Sequence, residues 1–167
     1  MKKMIKLFAL AIVMLSFAAS TFAQATATAT ATIVAPLAIN KTADMNFGNI
    51  APGAAAGTVL LSPAGARTPT GVTFLPSNPG TVTAASFTVT GLSGATYSIT
   101  LPGAATTVTS GANTMTVSTW TSTPTPTGTL TGGTEILKVG ATLNVGASQA
   151  VGSYVSGTAF TVTVNYN

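Results

Sequence analysis

Residues 85–101 read Ala85-Ser86-Phe87-Thr88-Val89-Thr90-Gly91-Leu92-Ser93-Gly94-Ala95-Thr96-Tyr97-Ser98-Ile99-Thr100-Leu101. On both sides of Gly91–Gly94, apolar and hydroxyl side chains alternate. Successive side chains of an extended chain point to opposite faces, so each run reads as a strand with one apolar side. Two such runs around a glycine-bounded turn predict a β-hairpin.

The pattern repeats outward from this stretch. Upstream lie Met45-Asn46-Phe47-Gly48-Asn49-Ile50, Thr58-Val59-Leu60-Leu61 and Gly71-Val72-Thr73-Phe74-Leu75, each followed by Pro- and Gly-containing turn material. Downstream come Asn113–Trp120 and a Thr-Pro-Thr-Pro-Thr-Gly loop at 123–128. Glu135–Val139 and Ala141–Val145 then flank Gly140, which predicts a bulge or sharp bend in one long strand. The chain ends Ala159-Phe160-Thr161-Val162-Thr163-Val164-Asn165-Tyr166-Asn167, with Phe160, Val162, Val164 and Tyr166 on one face. No segment repeats apolar residues at helical spacing. Short strands about every ten residues predict an all-β chain, a single Ig-like or pilin-like β-sandwich over residues 36–167.

The longest alternation is at the N-terminal end. From Gln24 to Asn40 the sequence is QATATATATIVAPLAIN, with every odd position from Ala25 to Ile39 apolar. At ~3.3 Å per residue the run up to Pro36 spans roughly 40 Å, about twice an ordinary strand. Residues 24–35 therefore form a strand or arm whose main-chain groups need a partner, in this molecule or another. For a full-length chain the expectation is pairing within its own sandwich. Pairing with a neighbour is the competing reading, with Ile33, Leu37 and Ile39 setting register.

Residues 1–23 read as a secretory signal peptide. Lys2, Lys3 and Lys6 precede the apolar run Leu7–Ala19, and Thr21-Phe22-Ala23 supplies the small residues of a cleavage site. The apolar run is short of the ~20 residues that span a bilayer, and no later stretch qualifies. An exported protein without an integral membrane segment is expected, in the periplasm, on the outer surface or outside the cell. Loss of the leader removes three of the six basic residues, leaving Lys41, Arg67 and Lys138 against Asp44 and Glu135. So neutral a surface offers no basic patch, and nucleic acid is not an expected partner. With no Cys, the fold depends on its core rather than on disulfides.

Reactive chemistry is sparse. There is no His and no Cys, and Asp44 and Glu135 are the only carboxylate side chains. A glycosidase-like pair of the two is outweighed by the reading of solvated loop and strand-end charges. A serine nucleophile lacks a base, and zinc lacks ligands. A Ca²⁺ site from Asp44, Asn46 and Asn49 is weak for want of carboxylates. The chain reads as a non-enzyme with no cofactor. Trp120, Tyr97 and Tyr154 are candidate glycan-stacking residues, with a core role for Trp120 as the alternative. Threonine rows of the ice-binding kind are set aside, because Thr is a good strand-surface residue.

Several segments occur in the order of a bacterial secreted family: Pro36-Leu37-Ala38-Ile39, Phe47-Gly48-Asn49-Ile50, Gly57-Thr58-Val59, Phe87–Gly91, Tyr97–Pro102, Val139–Leu143 and Val162–Tyr166. The chain resembles domain of unknown function 4402 over nearly all of its mature length. That resemblance implies a Gram-negative secreted β domain and no established activity. A looser similarity is to fimbrial subunits of the chaperone–usher type, whose N-terminal extension completes the next subunit. Residues 24–35 resemble that extension, although Ala is small for a pocket-filling residue. Phe160, Val162, Val164 and the penultimate Tyr166 resemble the C-terminal strand of such subunits.

The expected role is a secreted or cell-surface structural protein, fimbria-like, that assembles by strand addition with itself or other surface subunits. The alternative is a monomeric secreted sandwich that holds a glycan or protein ligand through loops such as 119–133.

Overall fold

In the computed structural model residues 23–167 are described; residues 1–22, which carry the expected leader, lie outside them. The strands begin with β1 (Ala38–Ala43), β2 (Asn46–Phe47), β3 (Ile50–Pro52), β4 (Gly57–Leu61) and β5 (Arg67–Thr70). Then follow β6 (Val72–Phe74), β7 (Val82–Thr83), β8 (Ala85–Thr90), β9 (Thr96–Thr100) and β10 (Thr106–Ser110). The last are β11 (Asn113–Thr123), β12 (Thr127–Thr129), β13 (Thr134–Val145), β14 (Val155–Ser156) and β15 (Thr163–Tyr166). Among the described residues there is no α-helix, and the fold is the all-β sandwich that the alternation predicts.

The architecture turns on β13. Its odd-numbered side chains Leu137, Val139, Ala141, Leu143 and Val145 are all buried, while Thr134, Ile136 and Lys138 on the other face are exposed. One edge of β13 pairs with β11. The other edge pairs with β8 through residues 134–139 and with β4 through residues 141–145. Gly140 stands where the partner changes. A Cβ on it would lie 2.2 Å from the Leu61 carbonyl oxygen, so only glycine lets the incoming strand approach. The expected irregularity is present but sits across the ladder, on β11, where the register slips between Ser118 and Thr121.

This strand carries two cores. In the first, Ala85, Val89, Leu137 and Val139 of the large sheet meet Tyr97, Leu130 and Val162, in and around the small sheet β12-β9-β15. In the second, Val59, Val117, Ala141, Leu143 and Val145 lie under Phe47, Ile50, Val72 and Phe74 of the two-stranded ribbons β2-β7 and β3-β6. Met45 and Trp120 pack against both.

Three expectations are corrected. First, β8 and β9 do not form a hairpin: β8 pairs with β1 and β13, β9 with β12 and β15. The turn between them is bound by other segments, with Gly91 N–H donating to Gly133 O and Gly94 N–H to Leu130 O. Second, the alternating run carries no strand among the described residues. Residues 23–33 belong to a different unit from residues 34–167, are exposed and have no regular secondary structure, and the first strand begins at Ala38. Mostly Ala methyls face one side of that run, each worth only ~0.8 kcal/mol on burial, against roughly 1–2 kcal/mol per residue to order the backbone. Third, the C-terminal strand is shorter than its alternation, because ladder pairing starts only at Thr163.

Candidate functional site

Leu37, Ile39, Phe160, Val162, Val164 and Tyr166, six of the residues expected to govern strand pairing, converge on the first core. The seventh, Ile33, is 98 % exposed and outside it. Leu37 and Ile39 are thus partly buried and packed on the core of their own sandwich.

Tyr166 joins three distant segments. Its ring passes over Gly91, its hydroxyl accepts a hydrogen bond from Leu92 N–H at 2.7 Å, and it donates to Ala35 O at 2.9 Å.

Of the three proposed sugar-stacking aromatics, Tyr97 is the clearest correction. It is fully buried and presents no face to a ligand. Its hydroxyl donates to Glu135 Oε2 at 2.9 Å, and Thr129 N–H donates to the same oxygen at 2.7 Å. Burial, then the hydrogen bond to Glu135 and its negative charge, push the Tyr97 phenol well above its ordinary value. Gly128 makes room for the pair, since a Cβ there would lie 2.3 Å from the Tyr97 ring. This pair escaped sequence reading because Tyr97 and Glu135 lie on different sheets; the signal was the chain's single Glu, set within an alternating strand.

Trp120 and Tyr154 line a cavity of about 960 Å³ whose wall draws on both cores, through Ala85 and Phe160 of the first and Val117 and Leu143 of the second. Trp120 packs against Phe160 with ring centroids 4.5 Å apart, and its Nε1–H donates to Ala104 O at 3.2 Å. Tyr154 donates to Ala150 O at 2.7 Å and accepts from Gln149 Nε2 at 2.8 Å. Met45, Phe47, Met115 and Leu143 make much of the remaining wall apolar.

The carboxylates are engaged separately. Asp44 pairs with Lys41 at 2.6 Å on the surface, and Glu135 is held by Tyr97 and Thr129. Asn46 and Asn49 are occupied in their own loops: Asn46 Oδ1 accepts from Gly48 N–H, and Asn49 Nδ2 donates to Asn78. Arg67, noted in the sequence only as a charge, donates to Phe47 O at 2.6 Å and lies 4.1 Å from the Phe74 ring centroid, tying β5 to the ribbons. Among the described residues no helix is long and apolar enough to cross a membrane, and no three His, Cys, Asp or Glu side chains cluster as a metal site.

No curated protein and no solved structure matches the chain. One family profile does, that of a domain of unknown function (DUF4402), over residues 37–166, which is the whole sandwich from the run before β1 to the end of β15. The chain belongs to the DUF4402 family.

Proposed function

We propose that this protein is a non-enzymatic, exported building block, of the periplasm or cell surface, whose residues 24–35 add as a strand to the sheet of another copy or a related subunit. The observation that carries the reading is that the longest alternating run of the chain has no ladder partner among the described residues. An extended, uncharged segment with its main-chain groups unpaired is a template for strand addition.

The sheet edges support the same reading. Pro69 interrupts β5, a bulge and Lys41 mark β1, β14 has two residues, and β12 has three and follows Pro124 and Pro126. Devices of this kind blunt edges against pairing. The outer edge of β15, Thr163-Val164-Asn165-Tyr166, has neither proline nor charge. Asn167 N–H donates to Thr96 O of the neighbouring strand, so by ladder alternation the amides of Val164 and Tyr166 face away from β9. That edge is the natural acceptor.

The test compares chains starting at Gln24 and at Pro36 by size exclusion and negative-stain imaging. Concentration-dependent oligomers or fibres that vanish with the arm support the building block; identical stable monomers sink it. The second reading, a monomeric binding module, draws on the cavity that Trp120 and Tyr154 line, and it gains if both chains stay monomeric.

A further inference from the structure

The hydroxyl of Tyr166 occupies a place that core packing of its ring does not require. Its two partners, Leu92 N–H and Ala35 O, belong to the turn after β8 and to the run that connects residues 24–33 to β1. No other side-chain hydrogen bond reaches residues 34–37 among those described. The neighbourhood is shaped around the phenol, since a Cβ on Gly91 would stand 2.2 Å from its oxygen. Pro36 follows Ala35 directly and has no N–H to offer a ladder. The chain thus enters the sandwich through a short unpaired segment held by a hydrogen bond at one carbonyl and by Leu37 on the first core.

We infer that the Tyr166 hydroxyl is a clamp that fixes the root of the N-terminal arm, and that arm-dependent association between copies depends on it. The inference rests on the building-block reading above. The physical ground is preorganisation. A strand contributes its main-chain hydrogen bonds to a partner only after its conformational freedom is lost, and a fixed root reduces what remains to be lost on docking. Tyr166 acts here as a positioning residue, with no contact to the partner required of its hydroxyl.

The decisive variant is Tyr166→Phe, which keeps the ring in the core and removes both hydrogen bonds. Gly91→Ala is the second variant; it displaces the hydroxyl while leaving Tyr166 in place, and it serves if the first fails to fold. Ser98→Ala is the control, because it deletes a bond to Asn165 O on the same strand without touching the clamp. Amide hydrogen exchange at Leu92 and backbone relaxation of residues 34–37 report the root, and size exclusion over a concentration series reports association.

In Tyr166→Phe and Gly91→Ala, exchange at Leu92 is expected to quicken and residues 34–37 to gain motion. Association should weaken by about tenfold, the scale of one lost ordering interaction. Ser98→Ala should leave both readouts as in the parent chain. Unchanged exchange at Leu92 overturns the clamp. Released exchange with parent-like association overturns its role in assembly and leaves the building-block reading standing. If the parent chain itself shows no arm-dependent association, that reading fails, and the proposed link from clamp to assembly falls with it.

Discussion

Replacing Tyr97 by Phe isolates the hydrogen bond between a fully buried phenol and the partly exposed carboxylate of Glu135. The ring is fully buried and Phe fills nearly the same volume, so no cavity term enters. What is lost is the hydroxyl's bond to Glu135 Oε2 at 2.9 Å, leaving that oxygen with Thr129 N–H alone. Hydrogen bonds to a charged group contribute roughly 1.5–3 kcal/mol, so Tyr97→Phe should cost about 2 kcal/mol at pH 7. For a domain of this size that is a fall in Tm of roughly 6 °C. The pH dependence follows from the raised phenol. A group whose folded pKa lies above its unfolded value contributes stability that is complete below the unfolded value, near pH 10 for tyrosine, and is lost as pH rises beyond it. The parent chain should therefore lose thermal stability above about pH 10 more steeply than Tyr97→Phe, and the gap between them should narrow. The assay is thermal unfolding by circular dichroism at pH 7, 9 and 10.5. Equal melting at pH 7, or parallel alkaline slopes, would refute the assignment of Glu135 and Tyr97 as a stabilising pair.

Other perturbations separate core from surface. Gly140→Ala places a methyl against the Leu61 carbonyl and should destabilise by roughly 1–3 kcal/mol, read as a lower denaturation midpoint with an unchanged slope. Leu137→Ala empties a fully buried site between the sheets and should cost about 3 kcal/mol in the same measurement. Asp44→Asn breaks the Lys41 ion pair, whose side chains are 57 % and 80 % exposed, and should change stability by less than ~0.5 kcal/mol; a larger loss would show that the loop before β2 depends on that charge. Phe160→Ala should shift the emission of Trp120, the sole tryptophan, to longer wavelength, since the facing ring 4.5 Å away is removed and the cavity opens toward it.

Alternation of apolar and hydroxyl residues was enough to establish strands, because which face of a strand is buried is a local property written every second residue. Val89, Leu137, Val139 and Leu143 are in the core where their period places them. Family membership was legible for the same reason, in short segments kept in order. Pairing was not legible. The run at 24–35 alternates as regularly as β13, yet β13 carries Leu and Val on its apolar face and the run carries mostly Ala. The turn at Gly91–Gly94 has hairpin residues, but its amides are taken by Gly133, Leu130 and Tyr166, and its two strands go to different sheets. Tyr97 has the aromatic character of a ligand platform, yet its ring packs among Val89, Leu130, Leu137 and Val162, and its hydroxyl is satisfied by a carboxylate 38 residues away.

The sequence by itself determined that this chain is built of strands, which side of each is apolar, and that reactive side chains are nearly absent. Only the tertiary structure decided which strand lies beside which, where one strand changes partners at Gly140, and that the alternating run joins no ladder among the described residues. The reason is that facing direction depends on neighbours two residues apart, whereas a ladder depends on backbone groups brought together from far along the chain, and their choice follows from the total apolar area that each arrangement buries.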